Sequence, residues 1–281
     1  MAAEVSVIIP SKGCQYLSYT LCALRSQTRK PSEIILVLKD CNISAVEKLC
    51  ESHALSCIIL EQKVGSFTNA LNMGKREAKK DILIFTDDDA IPPSRWIEHY
   101  VRLHELYRNI AGISSRDIYF DVIKGKTSPT PDDALHIRAY RWFVRPWFEP
   151  PLPQLKRYRF GVYISRNFDI KHGPFIPSRT CYSLPFRGVN MSFKSQLVYD
   201  AWFPEHPRLE RSPGNEQYFG LQIVLKGFDT IYVPSNPVYH ITRTESLSRT
   251  SKKKEMRAEF NIMRSLYASL LSKNLKIRPR Q

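Results

Sequence analysis

Three consecutive aspartates, Asp87, Asp88 and Asp89, follow the apolar run from residue 82 to residue 85, with only Thr86 between. This run is rich in β-branched and aromatic residues, which is typical of a buried strand in a parallel sheet. Crowded carboxylates repel one another and require cations, protons or hydrogen-bond donors. Because ligands of open α/β sheets bind beyond the carboxyl ends of the strands, the triplet is placed to hold a hard divalent cation and a substrate diphosphate. The alternative is an Asp-rich turn that caps a helix beginning near Pro92.

The elements that position this triplet alternate along the first 110 residues. Apolar runs predict strands over residues 5–9, 34–38, 57–60 and 82–85, and helical spacing predicts helices over residues 16–27, 45–53 and 68–79. In the first of these helices, Leu17, Leu21 and Leu24 share one face. The alternation predicts an α/β fold with a mostly parallel central sheet that is flanked by helices on both faces.

The charge balance indicates an anionic partner. The chain has 281 residues, with 42 Lys and Arg against 27 Asp and Glu, for a net charge of +15. Nucleic acid, anionic lipid and phosphorylated substrates all fit this charge. No zinc-finger or RNP-type signature supports nucleic acid, so we do not expect a nucleic-acid partner. Because the sequence has no signal-peptide pattern and no apolar run of membrane-spanning length, we expect a cytoplasmic protein. Peripheral binding to the inner face of the cell membrane is compatible with this expectation.

The six cysteines show no paired short spacing of the zinc type. Most of them stand among apolar residues, where cysteine behaves as a small hydrophobic side chain. We therefore expect a structural role for them, in preference to metal or disulfide chemistry.

The C-terminal stretch predicts an amphipathic basic helix. Residues 252–281 contain nine Lys and Arg and two Glu, and the apolar face is formed by Met256, Phe260, Met263, Tyr267, Leu270 and Leu271. Such a helix either lies on an anionic membrane or packs its apolar face onto the rest of the protein. The arginine- and aromatic-rich stretch over residues 138–160 offers a second membrane contact, because tryptophan and tyrosine favour the interface.

Seven landmarks in one order connect these features. They are Val5-Ser6-Val7-Ile8-Ile9-Pro10; Gly65 with Ala70-Leu71-Asn72-Met73-Gly74; Asp87-Asp88-Asp89; Arg187-Gly188-Val189-Asn190-Met191-Ser192-Phe193; Trp202-Phe203-Pro204-Glu205; Asn215-Glu216 ahead of Gly227; and Pro237-Val238-Tyr239-His240. By these motifs, from residue 5 to residue 240, the sequence resembles the family-2 inverting glycosyltransferases of GT-A fold. The resemblance implies a Rossmann-like nucleotide-binding architecture. It assigns residues 1–116 to the nucleotide-sugar-binding half, 117–250 to the acceptor-binding half of the same domain, and 251–281 to the basic helix.

The resemblance also implies an activity and a set of ligands. The implied reaction moves a sugar from a UDP- or GDP-sugar to an acceptor hydroxyl on a glycan or a lipid-linked molecule, with Mg²⁺ or Mn²⁺ bound. Asp87, Asp89 and His240 match the residues that hold the metal. The residues that match donor-binding positions are Pro10, Ser11, Lys12, Asn72, Asp87, Asp88, Gly188, Asn190, Arg243 and Arg249.

Two departures from the family pattern affect the site. Leu38-Lys39-Asp40 stands where the family has two aspartates, so either Lys39 or Asp40 contacts the base and ribose, unless Asp40 caps the next helix. Asn215-Glu216 stands where the family has Glu-Asp, which makes Glu216 the base that takes the acceptor proton. The other interpretation of Glu216 is a helix cap.

Two rival functions remain at this stage. The first is a sugar-phosphate nucleotidyltransferase, although that class usually has a glycine-rich basic loop after the first strand. Residues 10–13 here contain one glycine. The second is a basic nucleic-acid-binding protein without chemistry, in which the acid triplet would repel phosphates unless a metal bridged them.

Overall fold

The computed structural model describes residues 3–242 and 253–277. The strands are β1 (Val5–Lys12), β2 (Glu33–Lys39), β3 (Cys57–Glu61), β4 (Ile82–Phe85), β5 (Ala90–Ile91), β6 (Ile110–Ser114), β7 (Asp117–Asp121), β8 (Lys126–Ser128), β9 (Val162–Ile164), β10 (Ile170–His172), β11 (Cys181–Tyr182), β12 (Met191–Lys194), β13 (Asp229–Tyr232) and β14 (Val238–Ile241). The helices are α1 (Leu17–Arg25), α2 (Ile43–Ser52), α3 (Phe67–Glu77), α4 (Trp96–Leu106), α5 (Leu135–Phe143), α6 (Arg145–Phe148), α7 (Ser195–Val198), α8 (Asn215–Leu225) and α9 (Lys253–Ile277), with 3-10 turns at Pro131–Asp133 and Pro153–Phe160.

The central sheet has eight strands in the order β11-β13-β6-β12-β4-β1-β2-β3. Strands β3, β2, β1 and β4 are mutually parallel, as the alternating pattern predicts. Strand β12 runs antiparallel between β4 and β6, and β13 is parallel to β6. The mostly parallel α/β sheet flanked by helices is therefore confirmed, and strands from the second half of the chain complete the sheet that the first half begins.

Both faces of this sheet are buried. The predicted face of α1 (Leu17, Leu21 and Leu24) is fully buried in one of two core clusters that cover the sheet. The other cluster contains Phe85 from β4, whose ring contacts the rings of Phe193 and Phe203 at 6.0 and 5.3 Å between centroids. Burial on both faces explains why the strands read as continuous apolar runs rather than alternating ones.

A second sheet, in the order β5-β14-β7-β8, lies next to the end of β4. Its strand β14 pairs antiparallel with β5, which places His240 opposite Ala90, and parallel with β7, which places Val238 opposite Asp117. The backbone N–H of Ile241 donates to the carbonyl of Asp89 at 2.9 Å. This sheet therefore brings a late segment of the chain against the acid triplet.

The C-terminal helix is present, and its apolar face is turned toward the protein. Met263, Tyr267 and Leu271 are buried in a core cluster with residues of α8, β9 and the turn at Pro153–Phe160. The sequence left two arrangements open, and this is the one in which the helix packs on the rest of the chain. A membrane could not use the same side chains while they are buried, so the interfacial role predicted for this face is not supported. Within residues 3–242 and 253–277, no helix combines the length and apolar character that crossing a bilayer requires.

Candidate active site

Asp87, Asp89 and His240 form a compact group at the carboxyl end of β4. One ligand atom from each residue lies within 4.8 Å of the other two, and Nε2 of His240 is 3.3 Å from Oδ1 of Asp89. The pairing of β14 with β5 produces this proximity, although the residues are 151 to 153 positions apart in sequence. Carboxylate oxygens are preferred ligands of Mg²⁺ and Mn²⁺, and imidazole is compatible with Mn²⁺. The donor set therefore fits the metal that the sequence predicts.

Asp117 holds the imidazole from the other side. Nδ1 of His240 lies 3.1 Å from Oδ2 of Asp117, a buried carboxylate at the start of β7. Burial alone would lower the pKa of His240, but the hydrogen bonds to Asp117 and Asp89 outweigh it and raise the pKa to about 10. The carboxylate behind the ring fixes its orientation, so that Nε2 faces Asp89.

Arg187 extends this arrangement into a buried charge network. Its Nη1 donates to Oδ2 of Asp117 at 2.8 Å, and its Nη2 donates to Oδ2 of Asp132 at 3.0 Å. Burial opposes ionisation of Asp117, but the hydrogen bond from His240 and the charge of Arg187 hold the pKa of that carboxyl below its usual value. The positive charge of Arg187 also acts on Glu216. The guanidinium thus bonds to the carboxylate behind His240 and also contributes a weak positive field at the predicted base.

Glu216 lies in the first turn of α8. Gly214, with φ at +87°, is the N-cap of this helix, so the interpretation of Glu216 as the cap is wrong. The side chain is half-buried, and burial raises its pKa above the ordinary 4.5. Hydrogen bonds from its own backbone N–H and from the Gln217 side chain, and to a smaller extent the charge of Arg187, partly offset the increase. A carboxylate whose pKa is shifted toward neutral suits a general base, because proton affinity and ionised fraction are then both useful.

The ends of β1 and β2 form the edge at which the nucleotide is predicted to bind. Pro10 pairs with Val37, and Lys12 pairs with Lys39. Ser11 Oγ donates to Oδ2 of Asp88 at 2.5 Å, which connects β1 to the acid triplet. Ser11, Lys12 and Asp88 are therefore brought to the same edge of the sheet as Asp87 and Asp89.

Lys39 and Asp40 are placed differently from each other at this edge. Lys39 Nζ donates to the carbonyl of Gly65 at 2.6 Å, whereas the side chain of Asp40 is 63% exposed and lies 3.9 Å from Nζ of Lys12. Asp40 does not cap α2, since the N-cap is Asn42, whose side chain accepts from the N–H of Ala45 at 3.1 Å. The capping alternative for Asp40 is therefore wrong.

A disulfide joins Cys14 to Cys41 beside these residues, with 5.8 Å between the α-carbons. The expectation that the cysteines serve only as small hydrophobic side chains is wrong for this pair. The two residues are 27 positions apart, so no short Cys–Cys spacing in the sequence predicts that they pair. They meet because β1 and β2 are parallel neighbours, and each cysteine follows the carboxyl end of its strand by two residues.

Two asparagines predicted to contact the donor have amide groups that form hydrogen bonds within the protein, and their donor contacts stay predictions. Asn190 is fully buried, and its amide oxygen accepts from Trp96 Nε1 and Tyr100 Oη, at 2.9 and 2.6 Å. Its amide nitrogen donates to two backbone carbonyls, which uses the full hydrogen-bonding capacity of the group. Asn72 is likewise buried and exchanges hydrogen bonds with the backbone of Phe203, at 2.9 and 3.0 Å. The structure thus commits both amides to holding segments of the protein together.

The remaining predicted donor contacts divide into two groups. At Gly188 a side chain would meet open space, which leaves room for a ligand to approach the backbone. Arg243 and Arg249 lie outside the described residues. The roles predicted for all three stay predictions.

Sequence reasoning missed the functional importance of Asp117 and Arg187. In the sequence, Asp117 was noted only as the first residue of the predicted acceptor-binding half, and Arg187 only as the first residue of a motif. A signal for Asp117 does exist, because it is an acid shortly after the apolar run over residues 110–113, as the triplet is an acid after β4. No local pattern predicts that Arg187 lies between Asp117 and Asp132.

These features are those of the GT-A fold. Residues 6–171, more than half of the chain, match the sequence profile of glycosyl transferase family 2, and the chain belongs to that family. The assignment removes the nucleotidyltransferase alternative. Comparison with curated protein sequences finds no match.

Solved structures share the fold at low identity. GalNAc-T7 with UDP, GalNAc and Mn²⁺ is 18% identical, with a TM-score of 0.62 over 87% of this chain and 45% of that one. The mannosyltransferase PcManGT of Pyrobaculum calidifontis, with GDP-Man and Mn²⁺, is 14% identical, with a TM-score of 0.58 over 100% and 77%. TarS of S. aureus is 14% identical, with a TM-score of 0.55 over 95% and 43%. The chain thus spans less than half the length of TarS.

Proposed function

We propose that the protein transfers a sugar from a UDP- or GDP-sugar to an acceptor hydroxyl with inversion at the anomeric carbon. The observation that carries this proposal is the group formed by Asp87, Asp89 and His240 beside the nucleotide edge of the sheet. Structural neighbours were crystallised with UDP, or with GDP-Man and Mn²⁺, so both nucleotides are candidates. Asp87, Asp89 and His240 would hold Mg²⁺ or Mn²⁺, which stabilises the charge that develops on the departing nucleoside diphosphate.

On the donor side, Asp40 is the better candidate for contact with the base or ribose. Its carboxylate is exposed at the end of β2, whereas Lys39 already donates to Gly65. Asp40 has a φ of +54°, a left-handed conformation that turns the chain sharply after the strand. Lys12, 3.9 Å from Asp40, supplies a positive charge at the same edge.

On the acceptor side, Glu216 accepts the hydroxyl proton as the acceptor oxygen attacks. The new bond forms between that oxygen and the anomeric carbon, while the bond from this carbon to the diphosphate oxygen breaks with its electron pair. The proton moves to the Glu216 carboxylate, and no covalent enzyme intermediate forms. One displacement of this kind inverts the anomeric configuration.

The acceptor is proposed to be a hydroxyl on a glycan, as in polysaccharide biosynthesis, or on a lipid-linked molecule. We place the enzyme in the cytoplasm, at the inner face of the cell membrane, a reducing compartment in which the Cys14–Cys41 disulfide would persist only if it resists reduction. The support is the net charge of +15, which favours an anionic surface. Because Met263, Tyr267 and Leu271 on the apolar face of α9 are buried, such contact is proposed to use another part of the chain.

The direct test is a panel of labelled UDP- and GDP-sugars incubated with the purified protein, with release of nucleoside diphosphate as the readout. We expect release from one donor with Mn²⁺ or Mg²⁺, loss of release with EDTA, and loss in Asp89→Ala and Asp87→Ala variants that keep the wild-type unfolding curve. Near-normal turnover of Asp89→Ala in EDTA would overturn the metal assignment. Asp121→Ala, a substitution of the last residue of β7, is the matched control and should keep wild-type release.

A further inference from the structure

The strongest unexplained surface of the molecule is formed by α5 and α6. Leu135, Phe143, Trp147 and Phe148 are 80, 77, 83 and 74% exposed, although all four are large apolar side chains. We call these four residues the apolar projection. Isolated exposed apolar residues are common on proteins, but four of them on two successive helices, within 14 residues of sequence, indicate an interaction site.

The two helices turn arginine side chains toward the protein and large apolar side chains toward solvent, which is the reverse of an ordinary amphipathic helix. The residue of α5 that is buried is Arg141, which pairs with the buried Asp132 and donates to the carbonyl of Ile176 at 3.2 Å. In α6, Arg145 donates to the carbonyl of His172 at 2.6 Å and lies 2.9 Å from Glu149. Arginines therefore fasten the helices to the domain, and the aromatic side chains are left on the outside.

A basic rim adjoins this projection. Trp142 contacts the rings of Phe160 and Phe175, at 6.4 and 5.8 Å between centroids. The guanidinium groups of Arg159 and Arg179 lie over those two rings, at 4.6 and 5.4 Å from the centroids. Both arginines are exposed. Residues 134–168 contain seven Lys and Arg and a single acid, Glu149, which is paired with Lys171 and Arg145.

We propose that the apolar projection and its basic rim dock the enzyme on an anionic lipid bilayer. The rim complements a negative surface, and protruding Trp and Phe side chains suit insertion at the headgroup level. Side chains that are 74 to 83% exposed protrude into solvent rather than line a groove, so they match a deformable surface better than a folded partner.

The location of the projection links it to the active site. Asp132 binds Arg141 of α5 through one carboxylate oxygen and Arg187 through the other, and Arg187 binds Asp117 behind His240. Docking through α5 and α6 would therefore act on an element that a chain of ion pairs joins to the catalytic group. The inference rests on the proposed function only in its consequence, which is that the acceptor is lipid-linked.

The test is flotation of the full chain with vesicles of phosphatidylcholine, alone or with a third of phosphatidylglycerol. We expect binding to the anionic vesicles at low salt, weaker binding at high salt, and little binding to neutral vesicles. Trp147→Ser/Phe148→Ser should reduce the apparent partition coefficient roughly tenfold or more. Leu106→Ser/Tyr199→Ser, which removes two exposed apolar side chains elsewhere, should leave it unchanged.

A second pair of variants tests the rim. Arg159→Gln/Arg179→Gln should weaken anionic binding and flatten its salt dependence, whereas Arg102→Gln on α4 should not. No binding to anionic vesicles at low salt, or binding that ignores Trp147→Ser/Phe148→Ser, overturns the proposal. It is also overturned if the Trp147→Ser/Phe148→Ser variant dissociates a dimer in sedimentation, because the surface is then a contact between copies.

Binding of UDP and GDP with Mn²⁺, measured by calorimetry without vesicles, separates this proposal from the proposed function. Nucleotide binding without vesicle binding refutes docking and leaves the glycosyltransferase assignment standing. Vesicle binding without nucleotide binding supports docking and contradicts the proposed glycosyltransferase function.

Discussion

His240 and Asp117 face each other across two neighbouring parallel strands, with Nδ1 of the imidazole 3.1 Å from Oδ2 of the carboxylate. This contact leaves Nε2 directed at Asp89, 3.3 Å away. A histidine held in this way presents one defined nitrogen to a metal, because the second nitrogen is already committed. Asp117 is therefore a positioning residue for the metal-binding group.

Replacing Asp117 with Asn should weaken Mn²⁺ binding about 10- to 100-fold, which is the usual cost of losing a partner behind a metal-binding histidine. Calorimetric titration or the electron paramagnetic resonance signal of free Mn²⁺ measures this directly. Asp121→Asn, at the other end of β7, is the control and should bind as wild type. Equal affinity in the two variants would show that Asp117 does not support the site.

Replacing Glu216 with Gln should lower turnover on the order of a hundred- to ten-thousand-fold, because the amide cannot accept the acceptor proton. Donor affinity should change little, since the shape of the side chain is kept. Glu210→Gln, an exposed acid shortly before α8, should retain activity. If donor binding fell as far as turnover, Glu216 would be a structural residue and not the base.

Turnover should decrease at acid pH, and the midpoint of this decrease (the acid limb of the pH profile) should lie above pH 4.5. Glu216 must be ionised to act, and burial raises its pKa, so the rate falls as the pH decreases through this raised value. Arg187 lowers the pKa of Glu216, and Arg187→Gln should therefore move the limb to higher pH, while Arg187→Lys should restore part of the shift. A limb that stays in place, or moves to lower pH, would separate Arg187 from the base.

The C-terminal helix should stabilise the segment that carries the base. Tyr267 Oη donates to the carbonyl of Gly214 at 2.6 Å, and Glu259 accepts from the backbone N–H groups of Arg211 and Ser212 at 3.0 and 2.8 Å. Tyr267→Phe should lower the free energy of unfolding by about 1 kcal/mol, the net value of one buried hydrogen bond. Urea denaturation measures it, with the exposed Tyr199→Phe as control. Equal stabilities in both variants would contradict this coupling.

The Cys14–Cys41 disulfide should contribute to stability through the loop that it closes. Reduction should lower the free energy of unfolding by roughly 2 to 4 kcal/mol, according to the loop-closure dependence on chain length. Denaturation with and without reducing agent measures the change. A Cys14→Ser/Cys41→Ser variant should show no response to the reductant, and an equal response in the variant would exclude the disulfide as the cause.

Local patterns in the sequence were sufficient for β1 to β4, for the helices between them and for the acid triplet. The apolar runs of β1, β2 and β4 are buried, β3 at the edge of the sheet is part-buried, and the predicted face of α1 is the face that packs. These features depend on near neighbours in the chain. The connection between Asp89 and His240 was accessible only through resemblance to a family, because the pairing of β5 with β14 creates it.

The failures share one physical cause. Cys14 and Cys41 were misjudged because the two residues are distant in sequence and are brought together by neighbouring strands. The apolar face of α9 was equally ambiguous, since an amphipathic pattern does not say whether protein or lipid covers it. Its cover, residues of α8 and the turn at Pro153–Phe160, is settled only by tertiary packing.

The most direct test of the central claim is the configuration of the first sugar product, followed by proton NMR during the first turnovers with an α-linked nucleotide sugar and Mn²⁺. A single displacement assisted by Glu216 predicts that the β-anomer appears first, on an acceptor or on water, and that Glu216→Gln forms it far more slowly. Initial appearance of the α-anomer would contradict the account, because retention requires chemistry that one base and one displacement do not provide.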